Sequence, residues 1–359
     1  MRDHNPTLAV LGAGGFVGRS LLRDLEAEGI KATAIVRGFR DITLDTDFHE
    51  CVRPNDLGTR KFETVINLAY PTGGRPLEQI ALNNEIIDSA TALLGNDGHL
   101  IHVSSIAVFG ITVDRPIRLG PADAIRDISY VESKIKAESE LTARQHRHGF
   151  GLDIVRLGHV WGAASGNWAV PLTQRLVTGR PVAVRGSAGF SNSTDVANVS
   201  SYLIHLARRR AVPDVAFHHL AEFSNVRWPD WIAPMAAKLG VEMTWADSAW
   251  LQWPQGPVRE MAASLADLAP RKVYRRVSSE RQVGSVVRGA LRFLPANITE
   301  RLRSEGLAVR PPEFSRDELT FLTIIAGDQQ FKSHLDPQWT PPISQSESLE
   351  RVIRWIADR

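Results

Sequence analysis

The chain has 359 residues, 43% of them hydrophobic and 23% charged, with a formal net charge of +2. That length and apolar content can bury a sizeable core and suit one large domain carrying a smaller lobe. The single cysteine, Cys51, excludes an intramolecular disulfide and a cysteine-built metal cluster, and reads as a small buried apolar residue.

The first predicted element is a strand at Thr7-Leu8-Ala9-Val10-Leu11. It runs into Gly12-Ala13-Gly14-Gly15-Phe16-Val17-Gly18, after which Leu21, Leu22 and Leu25 recur with helical spacing. Strand, glycine turn and helix in that order let a backbone approach a pyrophosphate, whose charge the helix amides attract. Taken alone, such a glycine pattern equally describes a flexible turn; its position between strand and helix favours nucleotide binding.

A second strand, Ala32 to Val36, ends at Arg37, where a site selective for NAD usually presents an acid to the ribose. Arginine there suits the 2′-phosphate of NADP, so NADP is expected ahead of NAD. A solvated strand-end arginine is the plainer alternative, and Asp41 and Asp45 lie close enough downstream to supply an acid. Further strands are expected at Thr64 to Ala69, His99 to Ser105 and Gly151 to Arg156. Strands alternating with helical stretches predict an α/β fold, a doubly wound parallel sheet of Rossmann type.

Between those strands, Ile128, Val131, Ile135 and Leu141 mark an amphipathic helix from about Asp127 to His148. Tyr130 and Lys134, four apart, share one face of it. A free tyrosine ionises at about pH 10, and a fixed ammonium nearby lowers that value. Tyr130 then serves as proton donor or acceptor, Lys134 as its electrostatic tuner, and Ser105 as a hydrogen bond to the substrate oxygen. A Tyr-x-x-x-Lys turn is common by chance, and its meaning comes from the strand-glycine-helix context upstream.

Together these residues resemble the extended short-chain dehydrogenase/reductases, the NAD-dependent epimerase/dehydratase family, convincingly from Thr7 to Asp195. Gly12-x-x-Gly15-Phe16-Val17-Gly18 is similar to the family's nucleotide loop, Asn55-Asp56-Leu57 to its adenine-contact motif, and Asn67-Leu68-Ala69-Tyr70 to the strand lining the riboses. Val103 to Gly110 resembles the catalytic serine segment, in which the serine four residues before the aromatic, Ser105 and not Ser104, is active. Asn83 or Asn84 falls near the helix asparagine of the family. Arg156-Leu157-Gly158-His159-Val160-Trp161-Gly162 resembles the segment where nicotinamide meets substrate, with His159 replacing the more usual asparagine. That histidine either assists chemistry near neutral pH or packs, hydrogen-bonded, against the cofactor.

The resemblance implies a cofactor site of Gly12, Gly15, Phe16, Val17, Gly18, Arg37, Asp56, Leu68, Ala69, Tyr70, Asn83, Tyr130, Lys134, His159 and Val160. It implies a substrate site of Ser105, His159, Trp161 and Arg185, with Trp168 and Phe190 as further candidates to line the cleft. Thr194-Asp195-Val196-Ala197 is similar to a strand-helix junction of the family, and Gln338 to Trp355 to the closing motif of its sugar-nucleotide members, which supports a nucleotide-sugar-like substrate. Ser105 is followed by Ile106 and Ala107, not by the acid pair of sugar dehydratases, and Gly189 stands where many members place a diphosphate-binding arginine. The reading is therefore an NADPH-dependent ketone reductase using Ser105, Tyr130 and Lys134. The alternative is an epimerase with tightly bound NAD, and a non-catalytic nucleotide-sensing protein stands third because the Tyr-Lys pair is intact.

The expected organisation is a nucleotide domain over residues 1–160, rejoined by 191–222, and a discontinuous substrate lobe over 161–190 and 223–359. Within that lobe, residues 271–310 carry ten Arg/Lys against three acids, with Val283, Val286, Val287, Leu291 and Leu294 as an apolar stripe. This basic amphipathic segment reads as a solvated helix, an anion-binding lid or a membrane-surface contact. It lacks the interleaved aromatics of a nucleic-acid surface. His146, His148, His218 and His219 lack carboxylate partners at zinc-site spacing, so no metal is expected. No signal pattern or long apolar run occurs, so a soluble cytoplasmic protein is expected, and the family resemblance implies a homodimer through the helix of Tyr130.

Overall fold

In the computed structural model, which describes residues 7–37, 48–71, 76–109, 121–187, 189–209, 212–246 and 316–358, every residue of strand β1 (Leu8–Leu11) is buried. Strand alternation explains how: Leu8 and Val10 enter one core, Ala9 and Leu11 a second core on the opposite face. β1 lies in the interior of a seven-stranded sheet formed with β2 (Ala32–Ile35), β3 (Glu50–Val52), β4 (Phe62–Asn67), β5 (Leu94–Ser105), β6 (Gly151–Leu157) and β10 (Val215–Leu220). The order is β3-β2-β1-β4-β5-β6-β10 and every neighbouring pair is parallel. The order reverses direction beside β1, as a doubly wound sheet requires.

Helices cover both faces. α1 (Phe16–Ala27) and α5 (Val196–Arg208) pack on the Leu8/Val10 side, where Leu21, Leu22, Leu25, Val199 and Leu203 are fully enclosed. α2 (Pro76–Ala92) and α3 (Pro121–His148) cover the other side through Ile87, Ala137 and Leu141. Each such leucine contributes about 1.5–3 kcal/mol by leaving water. α3 starts earlier than the periodicity from Asp127 indicated.

A third core lies past β6. It joins Trp161 of β7 (His159–Trp161), Leu172 and Leu176 of α4 (Ala169–Val177), Trp228, Trp231 and Met235 of α6 (Trp228–Leu239), and Val352 and Ile356 of α8 (Gln345–Ala357). β7 pairs with β9 (Ser193–Asp195), and β8 (Ala183–Val184) with β11 (Trp245–Ala246), beside which α7 (Arg316–Ala326) packs. Asp195 ties this region to the sheet: one carboxylate oxygen caps α5 at the Ala197 amide, and the other accepts from Ser348 of α8. The basic segment 271–310, Asp41 and Asp45 lie outside the described residues.

Candidate functional site

The carboxyl ends of β1, β4, β5 and β6 form one edge, because the parallel register aligns Leu11 with Asn67, and Ser105 with Leu157. The glycine loop springs from this edge. Gly12 has φ of +77°, and a Cβ there would meet the Ala69 amide nitrogen at 2.7 Å, so only glycine lets the loop lie against the end of β4. Gly18 is required for space instead, since its Cβ would stand 2.5 Å from the Gly12 carbonyl oxygen. Gly15 is the N-cap of α1 and no side chain caps that end, although Phe16 and Val17 begin the helix there. Its first amides and the helix dipole therefore favour an anion. A cradle that a Cβ would fill, facing an uncapped helix start, fits the pyrophosphate of a dinucleotide.

Other expected cofactor residues surround this edge. Leu68 donates its amide to Leu11 at 2.9 Å and Ala69 donates to Asn67 Oδ1 at 3.0 Å, which fixes the turn after β4. Arg37, just past β2, and Asp56, in the short 3-10 turn Pro54–Asp56 after β3, are both exposed. Asn83 is buried and donates to the Ser133 carbonyl at 3.3 Å, whereas Asn84 is exposed, so Asn83 is the member of the pair that faces α3.

Ser105 ends β5 and hydrogen-bonds Tyr130 of α3. Ser104 points the other way and donates to Glu138 at 2.6 Å, in keeping with the choice of Ser105. Burial holds the Tyr130 phenol above the usual tyrosine range, against the pull of the Ser105 hydrogen bond. Lys134, 5% exposed, donates to the Val103 carbonyl at 2.9 Å, and its ammonium lies 5.0 Å from the centre of the Tyr70 ring. Burial pushes Lys134 down to about 8, while Glu138 one turn along draws it back up. The sequence leads one to expect Lys134 to lower Tyr130; in this state burial of the phenol outweighs that influence and the lysine is engaged elsewhere.

His159 shows what replaces the asparagine. Its Nδ1 donates to the Ser191 carbonyl at 2.6 Å, which leaves Nε2 as an acceptor, and burial pushes the ring's titration down to about 4. Trp168 and Trp228 enclose it, with ring centroids 4.4 and 5.6 Å away. His159 is thus a packed, neutral ring. Val160, beside it, is partly buried against the first core. Trp161 is fully enclosed and packs against Trp231 at a tilt, with ring centroids 4.8 Å apart, inside the third core. Phe190 is partly buried and meets Arg227 by a cation-π contact, and Arg185 is exposed in the turn after β8.

Sequence reading missed three contributors: Tyr70 as a partner of Tyr130, Glu138 beneath Lys134, and Trp228 beside His159. Only Glu138 carried a signal, its spacing of four residues after Lys134. A surface cleft of about 730 Å³ lies at the opposite, amino-terminal edge of the sheet, between Asp88, Asn96 and Arg144. Its central cation, Arg144, is already bound to Asp88 and Glu140. Among the described residues no cluster of His, Cys, Asp and Glu could hold a metal ion, and no helix is long and apolar enough to cross a membrane.

A family model described as the RmlD substrate binding domain matches residues 6–250. Among solved structures, MoeE5 in complex with UDP-glucuronic acid and NAD is 21% identical over 67% of this chain and 85% of its own, with a TM-score of 0.52. UDP-N-acetylglucosamine 4-epimerase from Bacillus cereus is 14% identical over 68% of this chain and 89% of its own, with a TM-score of 0.51. Bordetella bronchiseptica WbmH in complex with NAD+ is 16% identical over 67% and 85%, with a TM-score of 0.52. At these identities the likeness is one of fold. Among curated proteins no relative matches.

Proposed function

Because the chain belongs to the RmlD substrate binding domain family, within the extended short-chain dehydrogenase/reductases, we propose that it is a nicotinamide-dependent enzyme acting on a hydroxyl or keto carbon of a nucleotide-linked sugar. The observation that carries this reading is the convergence of Ser105, Tyr130 and Lys134 on the sheet edge that also bears the glycine loop.

A nicotinamide bound at this edge supplies hydride exchange. The chain's own residues handle the oxygen and its proton: Ser105 hydrogen-bonds the substrate oxygen, and Tyr130 takes or returns its proton. Lys134, fixed on β5, keeps positive charge beside them. Gly12, Gly15 and the start of α1 at Phe16 and Val17 hold the pyrophosphate, with Gly18 allowing the close packing. Leu68, Ala69, Tyr70, Asn83, His159 and Val160 surround the nicotinamide half, and Arg37 and Asp56 the adenosine half. Ser105, His159 and Arg185 are assigned to the substrate. Trp161, being enclosed, shapes the lobe behind them. The domain division at 1–160 with 191–222, against 161–190 with 223–359, is part of the same proposal, and the separate third core supports it.

Epimerisation with retained NAD takes precedence over net reduction, on the strength of solved structures whose descriptions pair this fold with NAD and with 4-epimerase activity. NADPH-dependent reduction is the second reading, favoured by Arg37 past the end of β2. Incubation with a panel of UDP-sugars and of their keto derivatives, with NADPH supplied, separates them. An epimerase changes the sugar's stereochemistry, read by NMR, without net change in nicotinamide absorbance; a reductase consumes one NADPH per ketone. A homodimer through α2 and α3 is also proposed, supported by Leu82 and Ile135, which are 43% and 46% exposed on those helices.

A further inference from the structure

Two phenols stand side by side at this site, and only one of them has its proton committed. The rings of Tyr70 and Tyr130 meet edge to face with centroids 5.1 Å apart, and the Tyr70 hydroxyl lies 3.2 Å from Ser133 Oγ. Ser133 gives its own proton to the Tyr130 backbone carbonyl at 2.8 Å, so Tyr70 is the donor in the Tyr70–Ser133 bond. A phenol used as a donor must stay protonated. The same Tyr70 ring faces the Lys134 ammonium at 5.0 Å.

Tyr70 is itself held from below. The buried Asn67 accepts from the Ala69 amide through Oδ1, and its Nδ2 donates to Nδ1 of the buried His102 at 3.2 Å. These bonds set the turn that carries Tyr70 from the end of β4 onto α3.

We propose that Tyr70 is a positioning residue, a permanently protonated phenol that walls Tyr130 and Lys134 from water and leaves Tyr130 as the one phenol of the pair free to exchange its proton. This rests on the reading of Ser105, Tyr130 and Lys134 as the reactive group. The ionisable and polar groups facing the pair are Ser105 and His102 from β5, and Ser133, Lys134 and Glu138 from α3, with Arg156 of β6 bound to Glu138. Burial holds Tyr130 above the usual range. Opening the wall therefore lowers its midpoint.

The chain has four tyrosines, so tyrosine labelled with ¹³C at Cζ gives four titrating NMR signals, assigned by substituting each with phenylalanine. The full chain and its Tyr70→Phe and Tyr70→Ala variants are titrated. Tyr70→Phe keeps the ring and should leave the Tyr130 midpoint near that of the parent, whereas Tyr70→Ala should lower it by about one unit as water reaches the phenol. Tyr202, which burial raises to about 12, should be unmoved and reports that the fold is intact. Should Tyr70→Ala lose its fold, Tyr70→Leu takes its place, since it too removes the ring: a lowered Tyr130 midpoint supports the role and an unchanged one overturns it. An unmoved midpoint overturns only the role of Tyr70, whereas normal turnover in Tyr130→Phe would overturn the reading of the site itself.

Discussion

Lys134 donates its ammonium to the Val103 carbonyl at 2.9 Å, so the lysine of α3 is anchored to β5 two residues before Ser105. The helix and the strand that carry the reactive residues are therefore fixed to one another through one of those residues. Replacing Lys134 removes a charge from the site and also a link between its halves.

Lys134→Met is expected to lower turnover by about a hundredfold or more. Its binding of NAD should also lose a pH dependence that the parent shows. In the nucleotide-free protein the ammonium is lost as pH rises through about 8. Titration of NAD at several pH values should show weakening above that point in the parent and a flat response in the variant.

Asp153 forms a second anchor, far from the chemistry. This buried carboxylate accepts from His99 at 2.6 Å, from His218 at 2.7 Å and from Arg209 at 3.0 Å, and Arg209 also holds Asp336. Burial alone would raise its titration, but the two histidine hydrogen bonds overrule that and hold it well below the usual carboxylate range. A folded value below the unfolded one gives stability that is present above the unfolded value of about 4 and lost as pH falls beneath it. Melting temperature should drop below about pH 4 for this reason. Asp153→Asn should cost about 1–3 kcal/mol at neutral pH, because an amide has one acceptor oxygen where the carboxylate accepts from both His99 and His218, measured by denaturant unfolding.

The exposed Leu82 and Ile135 make the dimer proposal specific. Sedimentation should give twice the chain mass for the parent. Leu82→Asp together with Ile135→Asp should give a monomer, with thermal stability otherwise changed little if those faces meet only solvent within one chain.

His159 should not set the pH profile. Burial pushes its titration to about 4, so His159→Asn should leave the shape of the activity profile unchanged between about pH 5 and 8. Its effect should fall on KM for the sugar, read by steady-state kinetics. A vanished acid limb in the variant would show that the ring titrates near neutrality.

The sheet was legible in the sequence because runs such as Leu8 to Leu11 and Gly151 to Leu157 are buried on both faces and therefore continuously apolar or nearly so. Gly12 and Gly18 were legible because steric demand allows no other residue there. Tyr130 and Lys134 were visible through helical spacing, a local property. Tyr70 was not seen as their neighbour because that contact depends on where the turn after β4 is aimed, which Asn67 and His102 settle across two strands. Asp153 likewise draws its partners from three strands or helices remote in sequence. The enclosure of Trp161 was illegible for the same reason: a tryptophan after a strand fits a cleft or a core, and its partner Trp231 lies seventy residues on.

The most direct test of the account is Tyr130→Phe, measured for turnover of UDP-sugars and for NAD binding on the same preparation. Turnover should fall by at least about a thousandfold, with NAD affinity within a few fold of the parent, because the hydroxyl moves the proton while the ring and Lys134 keep their places. Turnover equal to that of the parent would contradict it.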